Sequence, residues 1–281
     1  MTRYVLTGGR PVLLRPDGTV QVGWDPRRAV QVQPPDGMTQ TQLAALLRVL
    51  QTGVTQAELT TAATRFAVAQ LTAVDRLLVA LTDSGVVAAA PSSEVRSASI
   101  RIHGRGPLSE LLSSGLRCSG ARVRHTTEPY AAAVPAATDL VVLADYLVTE
   151  PRVLRELHRA HVAHLPVRMR DDTGLVGPLV VPGVTSCLQC GDLHRSDRDA
   201  AWPAVAAQLR GVVGNASRAT VLATAALALS QVELVIRAVC HADDPARAPA
   251  PPPTLDTTLE LQADGHSIAA RRWSRHPHCP C

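Results

Sequence analysis

Apolar and polar positions change period along the chain. Near the start, Val20, Val22 and Trp24 alternate with Thr19, Gln21 and Gly23, the period-two pattern of a half-buried strand. Pro16-Asp17-Gly18 separates this run from an apolar stretch at 12–14, which is a hairpin signal. "AVQVQ" at 29–33 supplies a third strand. The period then becomes helical. Leu43, Leu46, Leu47 and Leu50 follow Thr39 and Gln42, and Leu59, Ala62, Ala63 and Phe66 follow Thr55 and Glu58. Val74, Leu77, Leu78 and Leu81 follow Thr72 and Asp75 and stop at Gly85. Threonine with an acid or amide three residues on is a capping box, so three capped helices are expected. Strands followed by three helices predict a winged-helix-like module over 1–90. "AAAPSSEVRS" reads as a linker.

From residue 98 strand and helix patterns alternate. "ASIRIH", "ARVRH" and "DLVVLAD" are strands, the last a continuous apolar run as expected where both faces are covered. "GRGPLSELLSSG" is a glycine-rich turn opening a helix, and "TEPRVLRELHRAHVA" is a helix with Thr149 as its cap. "HLPVRM" and "LVGPLVV" are strands about an Asp-Asp-Thr-Gly turn, and "TLELQADGHSIAARRW" is a hairpin turning at Asp264-Gly265. The proline-rich stretch 246–254 reads as a loop. The expected fold class is therefore α/β, with a doubly wound domain over 98–281.

Composition narrows the function. Aromatics are only 2% of 281 residues, so the core is built from Leu, Val and Ala. All 28 basic residues are arginine, which removes lysine chemistry altogether. A net charge of +4 without a basic run gives no reason to expect nucleic acid as a partner. "ATVLATAALALSQVELVIRAV" is broken by Ser230, Gln231 and Glu233 and reads as a buried helix, not a membrane span. The N-terminus meets Gly8 and Gly9 before a signal core can form, so a cytoplasmic protein is expected. Thiols there stay reduced, and clustered cysteines point to metal more than to disulfides.

Two cysteine pairs stand out: Cys187 and Cys190 in "CLQC", and Cys279 and Cys281 at the C-terminus. C-x-x-C lets two thiolates meet one ion through a tight turn, and the second pair completes a tetrahedral zinc site. His276 or His278 replacing one cysteine is the alternative ligand set, and a thioredoxin-like redox motif is the alternative chemistry. With four protein ligands such a zinc is structural. Cys118 and Cys240 are expected as core thiols, and His103, His158, His161 and His164 as packing or surface residues. The charged run "CGDLHRSDRDAAWP" reads as a solvated patch or a contact surface for a partner.

Gly104 and Gly106 form part of a dinucleotide fingerprint, with Ser109 where the third glycine belongs. Glu128 is the nearest candidate for an acidic ribose ligand. These signals leave the turn either a phosphate cradle or a tight strand-to-helix connection.

Taken together, "VGPLVVPGVTSCLQCGDLHRSDRDAAWP" and the ending "RRWSRHPHCPC" resemble the ThiF-like, leader-peptide-binding proteins of thiazole/oxazole-modified peptide pathways, the bacteriocin-type cyclodehydratase components. The resemblance implies a peptide clamp in the N-terminal module, where a leader peptide adds as a strand against a helix. Thr19 to Gly23, and the helix around Val74 to Leu81, match those elements, giving Val20, Gln21, Val22, Val74 and Leu78 as candidate contacts. It also implies a Rossmann-type domain whose structural zinc is held by cysteines matching Cys187, Cys190, Cys279 and Cys281, a homodimer, and a YcaO-type partner that performs the ATP chemistry. Relatives that adenylate a carboxylate use an acidic magnesium ligand and basic groups that include lysine. Asp145 and Arg152 are the vestigial counterparts here, and ATP is not expected as a cofactor. An adenylyltransferase of the ThiF and MoeB kind is the competing expectation, and a DNA-binding winged helix is a third.

Overall fold

In the computed structural model, residues 2–91, 96–127, 137–242 and 249–281 are described. The chain divides into two compact units, Met1–Val95 and Arg96–Cys281. Glu128 lies outside the described residues, as does part of the linker.

In the first unit, β2 (Val12–Leu14), β3 (Val20–Val22) and β4 (Val30–Val32) form an antiparallel sheet in the order β2-β3-β4. Helices α1 (Gln40–Leu50), α2 (Gln56–Arg65) and α3 (Leu71–Asp83) follow. Thr39 with Gln42 and Thr55 with Glu58 close full capping boxes. The third expected cap does not form. α3 begins one residue before Thr72, and Asp75 accepts a hydrogen bond from Gln56 Nε2 at 2.7 Å instead. The helical apolar sets converge as their spacing requires: Leu43, Leu46, Leu47, Leu50, Val74, Leu77, Leu78 and Leu81 are all buried in one core with Val20 and Val22. Trp24 was expected on β3 but lies beyond it and is 77% exposed, because Gly23 turns the chain with φ 90°. A second small sheet, β5-β1-β6, pairs β1 (Thr2–Leu6) with β5 (Val54–Thr55) and β6 (Val87–Pro91). The start of the expected linker is thus strand.

The second unit is a seven-stranded mixed sheet in the order β13-β12-β11-β10-β9-β7-β8. Strands β7 (Ser99–His103), β8 (Arg122–Thr126), β9 (Leu140–Asp145) and β10 (Ala163–Arg170) are parallel. β11 (Thr173–Val176), β12 (Thr257–Gln262) and β13 (Ser267–Arg272) extend the sheet antiparallel. Both faces are covered. Leu140, Val142 and Ala144 pack with α4 (Pro107–Gly115) and α8 (Arg218–Cys240), whereas Val141 and Leu143 pack with α5 (Pro151–Arg159) and α6 (Leu188–Arg198). This explains why β9 is buried at every position. α8 is long and apolar enough to cross a bilayer, but Val221, Ala225, Ala228, Val232 and Ile236 sit in the sheet core. The cap position of α5 is Glu150, not the expected Thr149, and no side chain caps the helix there. The run "LVGPLVV" is not one strand, because β11 ends at Val176 before the Gly177-Pro178 bond.

Candidate functional site

Three places in the structure bear on function: the cysteine cluster, the glycine turn, and the outer edge of the first sheet.

Cys187 caps α6 at its N-terminus, and Cys190 lies one turn in. The C-terminal tail brings Cys279 and Cys281 against them. The Cys187–Cys279, Cys190–Cys281 and Cys187–Cys190 sulfurs are 3.5, 3.4 and 3.7 Å apart. Four sulfurs about 2.3 Å from a tetrahedral zinc stand about 3.8 Å from one another, so the spacing fits a four-thiolate ion. Burial pushes the Cys187 thiol up, and the Cys279 thiol up to about 11. At Cys190 burial acts in the same sense but is outweighed by backbone hydrogen bonds with His276 and Cys187, and the pKa falls to about 7. A divalent cation would hold all four as thiolates.

The tail is fixed by more than sulfur. Asp256 Oδ1 accepts from Ser186 N–H and Oγ–H, both at 2.7 Å, and the Asp256 carbonyl accepts from Trp273 N–H at 2.7 Å. One residue thus ties the loop before Cys187 to the exit of the terminal hairpin. Trp273 lies on Gly191, where an added Cβ would be 1.8 Å from the ring. The glycine next to C-x-x-C is therefore what admits the indole. His276 is not drawn into the sulfur cluster. Its Nε2 donates to Asp197 Oδ2 at 2.8 Å and its Nδ1 accepts from His278 N–H at 3.1 Å, while its carbonyl accepts from Cys279 N–H at 3.0 Å. It braces the turn that delivers Cys279. His278 is exposed.

At the glycine turn, β9 ends on Asp145, buried and in the left-handed region at φ 71°. Its Oδ1 accepts from Leu108 N–H at 2.9 Å and its Oδ2 from Ser109 N–H at 3.2 Å. These are free amides of the first turn of α4, the place where a phosphate would bind. Burial raises the Asp145 pKa, and the bonds from Ser109 and Leu108 oppose that rise. The two glycines serve this internal contact. A Cβ on Gly104 would lie 2.4 Å from the Ala144 carbonyl oxygen, and one on Gly106 would lie 2.8 Å from Asp145 Oδ1. Ser109, in place of the third glycine, hydrogen-bonds back to Gly106. Gly104, Gly106 and Asp145 are brought together. Arg152 is not, standing exposed on α5.

In the first unit, the candidate peptide contacts on β3 and α3 fall elsewhere than expected. β3 is paired on both sides, to β2 and to β4. Val20 and Val22 are wholly buried, and Val74 and Leu78 lie in the same core. Gln21 is used internally, accepting from Arg15 Nη1 at 2.9 Å and donating to the Gly23 carbonyl at 2.8 Å. No peptide can pair with a strand that has no free edge. Among the described residues the edges of this sheet are β2 and β4, and beside β4 a groove of about 600 Å³ runs between Val30–Asp36 and the α3 residues Ala73, Arg76, Leu77 and Ala80. Sequence alternation identifies a strand but not whether it is central, which is why this edge is missed.

No protein-family model and no curated protein matches the chain. Solved structures do. A heterocyclase in complex with substrate and cofactor superposes with a TM-score of 0.69 at 16% identity, over 100% of this chain and 39% of that one. The heterocyclase TruD gives 0.68 at 17% identity, over 100% and 42%. E. coli MccB with ATP gives 0.55 at 15% identity, over 100% and 99%. At such identities the likeness is one of fold. The chain spans about two fifths of the length of the heterocyclases it matches.

Proposed function

We propose that this protein binds a ribosomally made peptide and holds it for modification by a separate enzyme, of the YcaO type. The observation that carries this reading is the unpaired edge of β4 facing α3 across an open groove. An extended peptide adds to such an edge through main-chain hydrogen bonds, and its side chains reach the helix. On this reading the first unit is a winged-helix-like clamp, and the second is a Rossmann-type scaffold of the ThiF kind. The scaffold carries a structural zinc on Cys187, Cys190, Cys279 and Cys281 and pairs with a second copy of the chain. The reduced cysteines suit the cytoplasm. The fold shared with heterocyclases, which include one solved with its substrate, supports a role around peptide modification.

Binding is preferred over adenylation because Asp145 occupies the α4 amides that nucleotide phosphates would need. The chain's carboxylate is covalently tethered there, and like charge opposes any phosphate beside it. The fold shared with MccB, solved with ATP, is compatible with the other reading, an adenylyltransferase. Calorimetry with ATP and magnesium separates them: no heat at millimolar nucleotide is expected, and saturable binding would overturn the preference.

A further inference from the structure

The second unit carries an arginine-lined cleft. Arg168 and Arg170 on β10, Arg195 and Arg198 on α6, and Arg271 and Arg272 at the end of β13 line one cleft of about 750 Å³. Among the described residues Glu260 is the one carboxylate in its lining, and it is already held by Arg170 at 3.2 Å and Arg271 at 2.7 Å. Arg195 pairs with Asp192 at 2.9 Å and lies between two indoles, 5.0 Å from the Trp202 ring centre and 5.4 Å from that of Trp273. Arg168, Arg198 and Arg272 have no ion pair among the described residues. Arg168 makes one hydrogen bond, to the Leu147 carbonyl, and its pKa falls to about 10 through burial and the nearby charge of Arg195. Arg168 is half-buried, and the nearby carboxylate, Asp192, is already paired with Arg195, so a ligand's carboxylate would complete its charge balance.

The cleft continues past Arg168, Arg195 and Trp273 into a hollow of about 570 Å³, where Leu188, Trp202, Leu209 and Val213 form an apolar wall and Asp171 and Asp192, the latter paired with Arg195, stand among the lining. The arginines are spread over three elements, β10, α6 and β13. No helix start enters the cleft, since α6 contributes only Gly191 and residues beyond it. That layout lacks the amide cradle of a phosphate site. It matches an extended chain bearing several carboxylates next to an apolar side chain, because guanidinium groups bind carboxylates bidentately.

We infer that this cleft is a second binding site, for an acidic peptide segment whose carboxylates meet the arginine row and whose neighbouring apolar residue enters the hollow beside Trp202. The site is separate from the β4 edge and stands whether or not that edge binds a peptide. Its surface also explains the charged run after the first cysteine pair, which supplies Arg195 and Arg198.

The test is fluorescence anisotropy of the intact protein with a fluorescein-labelled Asp-Leu-Glu-Asp-Leu-Glu peptide. Binding is expected to weaken at least about tenfold when Asn and Gln replace the acids, and comparably when salt rises from about 50 to about 300 mM. Arg168→Gln should produce a similar loss. Arg198→Gln and Arg272→Gln, both exposed, should each weaken binding severalfold and keep the result readable if Arg168→Gln fails to fold. Arg76→Glu, which addresses the β4 groove, should change nothing. The inference fails if the neutral peptide binds equally, if the Arg76 variant alone abolishes binding, or if no binding appears at millimolar peptide. It also fails if ATP or an oligonucleotide displaces the peptide at lower concentration than unlabelled peptide does.

Discussion

The Asp145 carboxylate caps the Leu108 amide at 2.9 Å, closing the start of α4 from within the chain. Asp145→Ala would strand that amide and the one at Ser109 in a buried site. An unfulfilled buried donor costs about 1–3 kcal/mol. Guanidinium unfolding should therefore show a loss of that order, with ATP–pyrophosphate exchange at background in the wild type and in the variant.

The glycines beside this contact are expected to tolerate no side chain. In Gly104→Ala the new methyl meets backbone, which cannot rotate away. Overpacking of this kind costs typically about 1–3 kcal/mol. Gly191→Ala should be at least as damaging, because it displaces Trp273 from α6 and with it the path of the tail. Loss of near-ultraviolet indole signal, together with a lower melting temperature, is the readout.

Metal analysis of freshly purified protein should give about one zinc per chain. Cys279→Ser and prolonged chelation should each lower the melting temperature and increase protease cleavage after Gln262, where the terminal hairpin turns. His276→Ala should weaken zinc retention less than Cys279→Ser does, since it removes a brace and not a ligand.

Acid should destabilise the second unit before its carboxylates titrate. His103 and His164 are buried, and burial lowers each pKa to about 4, helped by Arg101 and His125 at the first and by His158 at the second. A folded-state pKa below the unfolded value of about 6.5 means that the unfolded chain takes up protons first as pH falls. The contribution is whole above about pH 6.5 and is lost toward pH 4, roughly 3 kcal/mol for each histidine. Asp145, raised by burial, acts in the opposite sense. His164→Leu should flatten the stability difference between pH 7 and pH 5, measured by denaturant unfolding.

Leu78→Ala should cost about 2–5 kcal/mol because the residue is core, and its effect on peptide binding should only follow the loss of fold. Gln31→Pro and Arg76→Glu should leave the melting temperature nearly unchanged and remove peptide binding.

The sulfur cluster is legible in the sequence because ligand type and spacing are one-dimensional facts that survive folding. The helical cores of α1 and α3 are legible because leucine at 3.6-residue spacing has few other uses. The glycine turn is visible, but its meaning is not: only coordinates show that Gly104 and Gly106 make room for Ala144 and Asp145. The edge of β4 escapes because Val20 and Val22 carry the same alternation in a central strand that they would carry at an edge. β1 and β6 escape too, the one broken by Arg3 and the other made of alanines that read as linker. The arginine cleft draws on β10, α6 and β13, which are distant in sequence, so no local motif announces it.

Amide hydrogen exchange with a bound peptide reports where on the protein that peptide sits. Peptides selected from a displayed random library on the intact protein should protect residues 30–32 and the 71–83 helix, and lose that protection in Arg76→Glu. Failure to select any binder, or protection centred on Gly104 and Asp145 with the β4 amides unchanged, would mean that the β4 edge is not a peptide site.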